Sequence, residues 1–270
     1  MKESSPKFEI VAVTHPGMVR SHNEDSIETD ASIGLAVLAD GMGGYNAGEV
    51  ASGIAVAMVN TEIRKALSGM NGVLDAATAE KLVCEHAMRA NQAIYLAAQS
   101  QPQYAGMGTT LVVALWHGDS VAVGHIGDSR LYRFRGDTLE QVTRDHSLLQ
   151  EQIDSGLITR EQAQHSQNKN LVTRAVGIDP EVDVEIHSYP VEAGDIYMLC
   201  SDGLNDMVTD EDMQLTLSSL QANLPLAADR LVQQANDNGG RDNVSVILVR
   251  VLQSFPARTG WVDRVKAWFR

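Results

Sequence analysis

The chain is predicted to fold as an α+β protein, and three patterns carry that expectation. Short runs rich in Val, Ile and Ala come first, two long stretches with helical periodicity follow, and further β-rich runs close the chain. Strands, then helices, then strands again do not match a regular βαβ alternation and point to layered sheets. Links as short as His117-Gly118-Asp119 and Gly127-Asp128 favour antiparallel pairing of the strands they join.

Taken in order, residues 8–14 and 33–39 read as strands, with Asp40 falling where the second ends. Over residues 46–67, Val50, Ile54, Ala57 and Met58 recur at helical spacing. Leu82, Val83, His86, Ala90 and Ile94 do the same over 77–98, so two helices side by side on a sheet are expected. Residues 109–117, 120–126 and 130–134 are the next strands. A polar, Gln-rich stretch at 147–170, with weak helical signals at 148–153 and 159–163, reads as an inserted flap. Strands resume at 182–189, 196–200 and 244–251, with helices near 210–217 and 226–234 between the last two.

With 270 residues and 44% hydrophobic content the chain supports one substantial core, expected over 1–253, followed by a tail at 254–270. It holds no run of 18 uncharged apolar residues and no signal-type apolar block after Met1, so a soluble, cytoplasmic, monomeric protein is expected. Cys84 and Cys200 give no disulfide framework, and each is expected to be buried. A net charge of -14 without a basic groove excludes a nucleic-acid partner.

The chemistry lies in scattered acidic motifs: Asn23-Glu24-Asp25, Asp40-Gly41-Met42-Gly43-Gly44, Gly127-Asp128-Ser129-Arg130, Ser201-Asp202-Gly203 and Asp242-Asn243. Carboxylates beside glycines at the ends of apolar runs suit hard divalent cations, because glycine leaves carbonyl oxygens unshielded. A lone Asp-Gly is an ordinary turn. Four in the same context, converging on one rim, would repel one another unless cations held them together. Arg20 offers a planar fork for phosphate oxygens, and its alternative is a surface salt bridge to Glu24.

Other chemistries fail on residue identity. The sixth residue after Cys84 is Ala90 and after Cys200 is Asp206, so neither cysteine has the Arg of a cysteine phosphatase. Asp210-Glu211-Asp212-Met213 is not an aspartyl-phosphate motif. Ser129 and Ser201 lack a nucleophile elbow, and Gly41 to Gly44 lacks the Lys of a phosphate-binding loop. The eight histidines show no paired zinc-ligand spacing, and only His146 is kept near the site.

In this order stand Arg20-x-x-Asn23-Glu24-Asp25, Asp40-Gly-Met-Gly-Gly, Glu49, Gly106-Met107-Gly108-Thr109-Thr110, Gly127-Asp128-Ser129-Arg130, Thr143-x-Asp145-His146, Thr173-Arg174-Ala175-Val176-Gly177, Ser201-Asp202-Gly203-Leu204 and Arg241-Asp242-Asn243, in a match that runs over about 12–251. Together they resemble the bacterial type 2C (PPM) metal-dependent serine/threonine protein phosphatases. The resemblance implies a four-layer α/β/β/α sandwich of two antiparallel sheets flanked by helices. It implies hydrolysis of phosphoserine and phosphothreonine on protein substrates, opposite a Hanks-type Ser/Thr kinase.

Carried over position by position, the resemblance makes Asp40 the bridging ligand of two manganese or magnesium ions, with the Gly41 carbonyl on one of them. Asp202 and Asp242 complete the other, Glu24 acts through water, and Asp128 with Asp202 matches a third-ion site. Arg20 clamps phosphate, while Asp25, Thr109 and Asn243 orient the ligands. A hydroxide shared by the two ions attacks phosphorus in line. Eukaryotic relatives carry a histidine where this chain has Met42, which cannot donate a proton. That departure leaves the donor to be supplied otherwise, and the preferred candidate is water at the third ion near Asp128, with His146 as the fallback. A silent binding domain of the same fold would lack ligands, whereas a small-ester hydrolase shares them.

In the tail, Trp261, Val262, Val265, Trp268 and Phe269 share one helical face, and Arg258, Arg264, Lys266 and Arg270 against Asp263 give a local charge of +3. Such a basic amphipathic segment suits a membrane surface, a partner, or the chain's own acidic domain.

Overall fold

The computed structural model describes residues 7–44, 47–70, 73–159, 162–163 and 171–253; the tail at 254–270 and most of 160–170 lie outside the described residues. Two antiparallel sheets are stacked with helices on both outer faces. The first has the order β1 (Phe8–His15), β11 (Val244–Val251), β10 (Ile196–Cys200), β7 (Arg130–Arg135), β8 (Thr138–Gln141). The second runs β2 (Asp25–Asp30), β3 (Leu35–Met42), β5 (Leu111–His117), β6 (Ser120–Ile126), β9 (Glu185–Pro190), with the short β4 (Gly108–Thr109) paired to β3.

Strand alternation builds the layers. In β3, Leu35, Val37 and Ala39 point to α1 (Ala47–Ser68) and α2 (Ala76–Ser100), while Ala36 and Leu38 point to the other sheet. In β11, Val244, Val246 and Leu248 meet α5 (Asp210–Leu220) and α6 (Leu224–Asp237), while Ile247, Val249 and Val251 join the layer between the sheets. Both faces of these central strands are covered, so they read as continuous apolar runs.

The helices start where their sequences provide caps. Asp75 accepts from the Thr78 amide at 2.8 Å to begin α2, Ser147 caps α3 (Leu148–Asp154), Thr209 caps α5 ahead of three acids in its first turn, and Asn223 caps α6.

The sequence expectations meet several differences. β2 and β8 were not anticipated: both are short, polar edge strands without an apolar run. Strand β3 continues past Asp40 to Met42, and Asp202 opens a short helix, α4 (Asp202–Asn205). Cys200 is buried, but Cys84 is only half-buried on α2.

Candidate metal centre

Strand polarity brings the acidic motifs to one rim. β3 and β6 end there, β10 leads into Asp202, and β2 and β11 begin there. Asp25 and Asp40 share a rung of the β2–β3 pair. The Asp40 peptide is held from both sides: its amide donates to Thr110 Oγ1 at 2.9 Å, and its carbonyl accepts from Thr109 Oγ1 and the Thr110 amide, both at 2.8 Å. Gly41 is required for packing: a Cβ there would lie 2.1 Å from the Gly48 carbonyl oxygen, so the start of α1 rests on it.

The β10–β11 pair supplies the opposite wall. Ser201 and Ser245 donate to Asp25 Oδ2 at 2.8 and 2.6 Å. A Cβ on Gly203 would meet the Asn243 carbonyl oxygen at 2.0 Å, which keeps α4 against the start of β11. Asn243 ties the rim together, accepting from the Glu24 amide at 2.8 Å and donating to the carbonyls of Pro16 and His22 at 3.0 and 2.9 Å. Arg20 pairs with Asp242 Oδ2 at 2.8 Å, rather than with Glu24 as the surface alternative had it.

Asp128 sits on a turn braced from below. Gly127 has φ 103°, a conformation that suits glycine, and its amide donates to His146 Nδ1 at 3.1 Å. The His146 amide returns a bond to the Gly127 carbonyl at 2.9 Å, and its Nε2 lies 3.2 Å from Glu185 Oε2. The ring stacks on His125 with centroids 4.6 Å apart. His125, His146 and Glu185 thus present ligand atoms within 4.8 Å of one another, a group that residue spacing alone did not reveal. The register that pairs His125 with Glu185 across β6 and β9 creates it. Burial lowers the pKa of both imidazoles, so they are neutral braces at pH 7.

Burial and mutual repulsion raise the acids of the rim. Asp40 lies well above the ordinary carboxylate range, first through desolvation and then through Asp25, Asp202, Asp128 and Asp242. Asp202 is raised in the same way, with Asp128 its strongest charged neighbour. Asp25 and Asp128 are each pushed up to about 6, chiefly by desolvation. Glu24 is raised as well, with Arg20 opposing the shift. Asp202 Oδ1 and Asp25 Oδ1 are buried without a hydrogen-bond partner. An all-oxygen set of crowded carboxylates with orphaned lone pairs fits hard divalent cations.

A cleft of about 560 Å³ opens beside Asp128 and Asp202, walled by Leu149, Gln150 and Ile153 of α3 and by residues 205–211.

Residues 19–241 match the family described as Protein phosphatase 2C. The chain belongs to that family. It is 37% identical over 239 residues to the serine/threonine phosphatase stp of Listeria welshimeri, covering 87% of this chain and 93% of that protein. The crystal structure of the Mycobacterium tuberculosis serine/threonine phosphatase PstP/Ppp superposes with a TM-score of 0.83 at 35% identity, over 91% of this chain and 99% of that one. A catalytic domain of PstP in complex with two manganese ions gives a TM-score of 0.78 at 36% identity, over 91% and 99%. The stacked sheets and outer helices are the family's fold. As in other 2C phosphatases, a metal-dependent enzyme is what this rim belongs to.

Proposed function

We propose that this 2C phosphatase removes phosphate from phosphoserine and phosphothreonine in proteins, using two manganese or magnesium ions at the rim and a third beside Asp128. The observation that carries the reading is the convergence of Asp40, Asp128, Asp202 and Asp242 on one rim, where burial and then neighbouring carboxylates push Asp40, Asp128 and Asp202 above the ordinary carboxylate range. Asp40 would bridge two ions with the Gly41 carbonyl on one, Asp202 and Asp242 would complete the other, and Glu24 would act through water. Asp128 and Asp202 would hold the third. Bound there, the cations supply an acidic water as nucleophile and positive charge against the phosphate oxygens.

The chain's own residues then position and neutralise. Thr109 and Thr110 hold the Asp40 peptide, so its carboxylate does not need to reorganise during turnover. Arg20, half exposed beside Asp242, is free to turn its fork toward a phosphate that arrives over the rim. The departing serine or threonine oxygen needs a proton that Met42 cannot give. His146 has Nδ1 occupied by the Gly127 amide and Nε2 by Glu185, which supports a water near Asp128 as the proposed donor.

The segment at 147–170 contributes α3 to the cleft beside Asp128 and is proposed to meet the phosphoprotein, with a Hanks-type kinase supplying that substrate in the cytoplasm. Competition between phosphothreonine peptides and a small aryl phosphate tests the substrate class. The peptide is expected to have the higher kcat/KM. Equal or lower values would favour a small-ester hydrolase.

A further inference from the structure

At the end of the sandwich away from Asp40 there is a second cavity, of about 310 Å³, with apolar walls from Phe8, Ile33, Leu67, Val73, Leu74 and Trp116. Trp116 lies 5.6 Å from the Phe8 ring and 5.5 Å from Tyr197. Its indole is buried, yet Nε1 has no hydrogen-bond partner, and the same holds for the buried Nε2 of neighbouring His117. Val73 at the mouth is 52% exposed. Apolar walls open at an exposed mouth describe a site shaped for apolar side chains.

The chain itself delivers such a group to this mouth. β11 ends with Val251 opposite Phe8, and the Leu252 amide donates to the Lys7 carbonyl at 2.9 Å, so the described chain ends beside two residues of the cavity wall, Lys7 and Phe8. Eight residues separate Leu252 from Trp261, a reach of up to about 30 Å, and so short a tether gives an effective concentration in the millimolar range. Trp261, Val262, Val265, Trp268 and Phe269 fall at helical spacing, and the tail is basic within a chain of net charge -14.

We infer that residues 261–269 dock with their apolar face in this cavity of their own chain, clasping the sandwich at the end remote from the metal centre.

The protein contains three tryptophans, Trp116, Trp261 and Trp268, so full-length Trp116→Phe emits from the tail alone. In that variant, blue-shifted emission and acrylamide quenching several-fold weaker than for free tryptophan are expected, independent of protein concentration. Adding Val73→Glu at the exposed mouth should shift the emission to the red and raise quenching several-fold, while turnover of a small aryl phosphate, which also reports folding, stays unchanged. Quenching equal to that of free tryptophan overturns the inference, as does emission indifferent to Val73→Glu. A blue shift that appears only with phosphatidylglycerol vesicles assigns the tail to membranes instead. A shift that grows with concentration alongside a dimer mass assigns it to a second copy.

Discussion

Asp25 and Asp40 occupy the same rung of the β2–β3 ladder, and both carboxyls are raised, Asp25 to about 6 and Asp40 well above the ordinary carboxylate range. Two buried acids side by side cannot both ionise cheaply, and Asp25 Oδ1 lacks any hydrogen-bond partner. The pair therefore ties the stability of the rim to whatever cation lies against it.

A pH dependence follows. A folded-state pKa raised above the ordinary 3.8 makes a stabilising contribution that is full below 3.8 and lost as pH rises through about 6, as for Asp25 and Asp128. Cations replace protons above that window. The rise in Tm on adding manganese to chelator-treated protein should therefore be larger at pH 7.5 than at pH 5.5, read by differential scanning fluorimetry. A gain that shrinks with rising pH would contradict the electrostatic reading.

Asp128→Asn should lose most turnover, on the order of tenfold or more, equivalent to about 1.4 kcal/mol of lost transition-state stabilisation. Binding of two manganese ions, measured by calorimetry, should persist. Activity comparable to wild type at saturating manganese would remove Asp128 from the mechanism.

His146→Ala strips the acceptor from the Gly127 amide and opens space beneath the Asp128 turn. An orphaned buried amide costs about 1–3 kcal/mol. A lower Tm together with reduced kcat is expected, whereas a fall in Tm with kcat intact would confine His146 to stability.

The strands beside the site were legible where hydrophobicity decides: residues 196–200 and 244–251 are buried on both faces and read as apolar runs. β2 was not, because Asp25-Ser26-Ile27-Glu28-Thr29-Asp30 takes its place from pairing with β3 rather than from apolar pattern. Asp202 looked like Asp40, a strand followed by acid and glycine, yet it opens α4; Gly203 is there because Asn243 leaves no room for a Cβ. The acidic motifs themselves were readable, since carboxylate beside glycine is a local signal. The ring stack of His125 and His146 and the Arg20–Asp242 pair join residues distant in sequence, and only the fold brings them together.

Hydrolysis of a phosphothreonine peptide by wild type and Asp40→Asn, each with manganese and with chelator, addresses the metal centre most directly. Wild type should turn over with manganese and stop with chelator, and Asp40→Asn should be inactive in both. Activity that survives the chelator, or that survives Asp40→Asn, would contradict a metal centre built on Asp40.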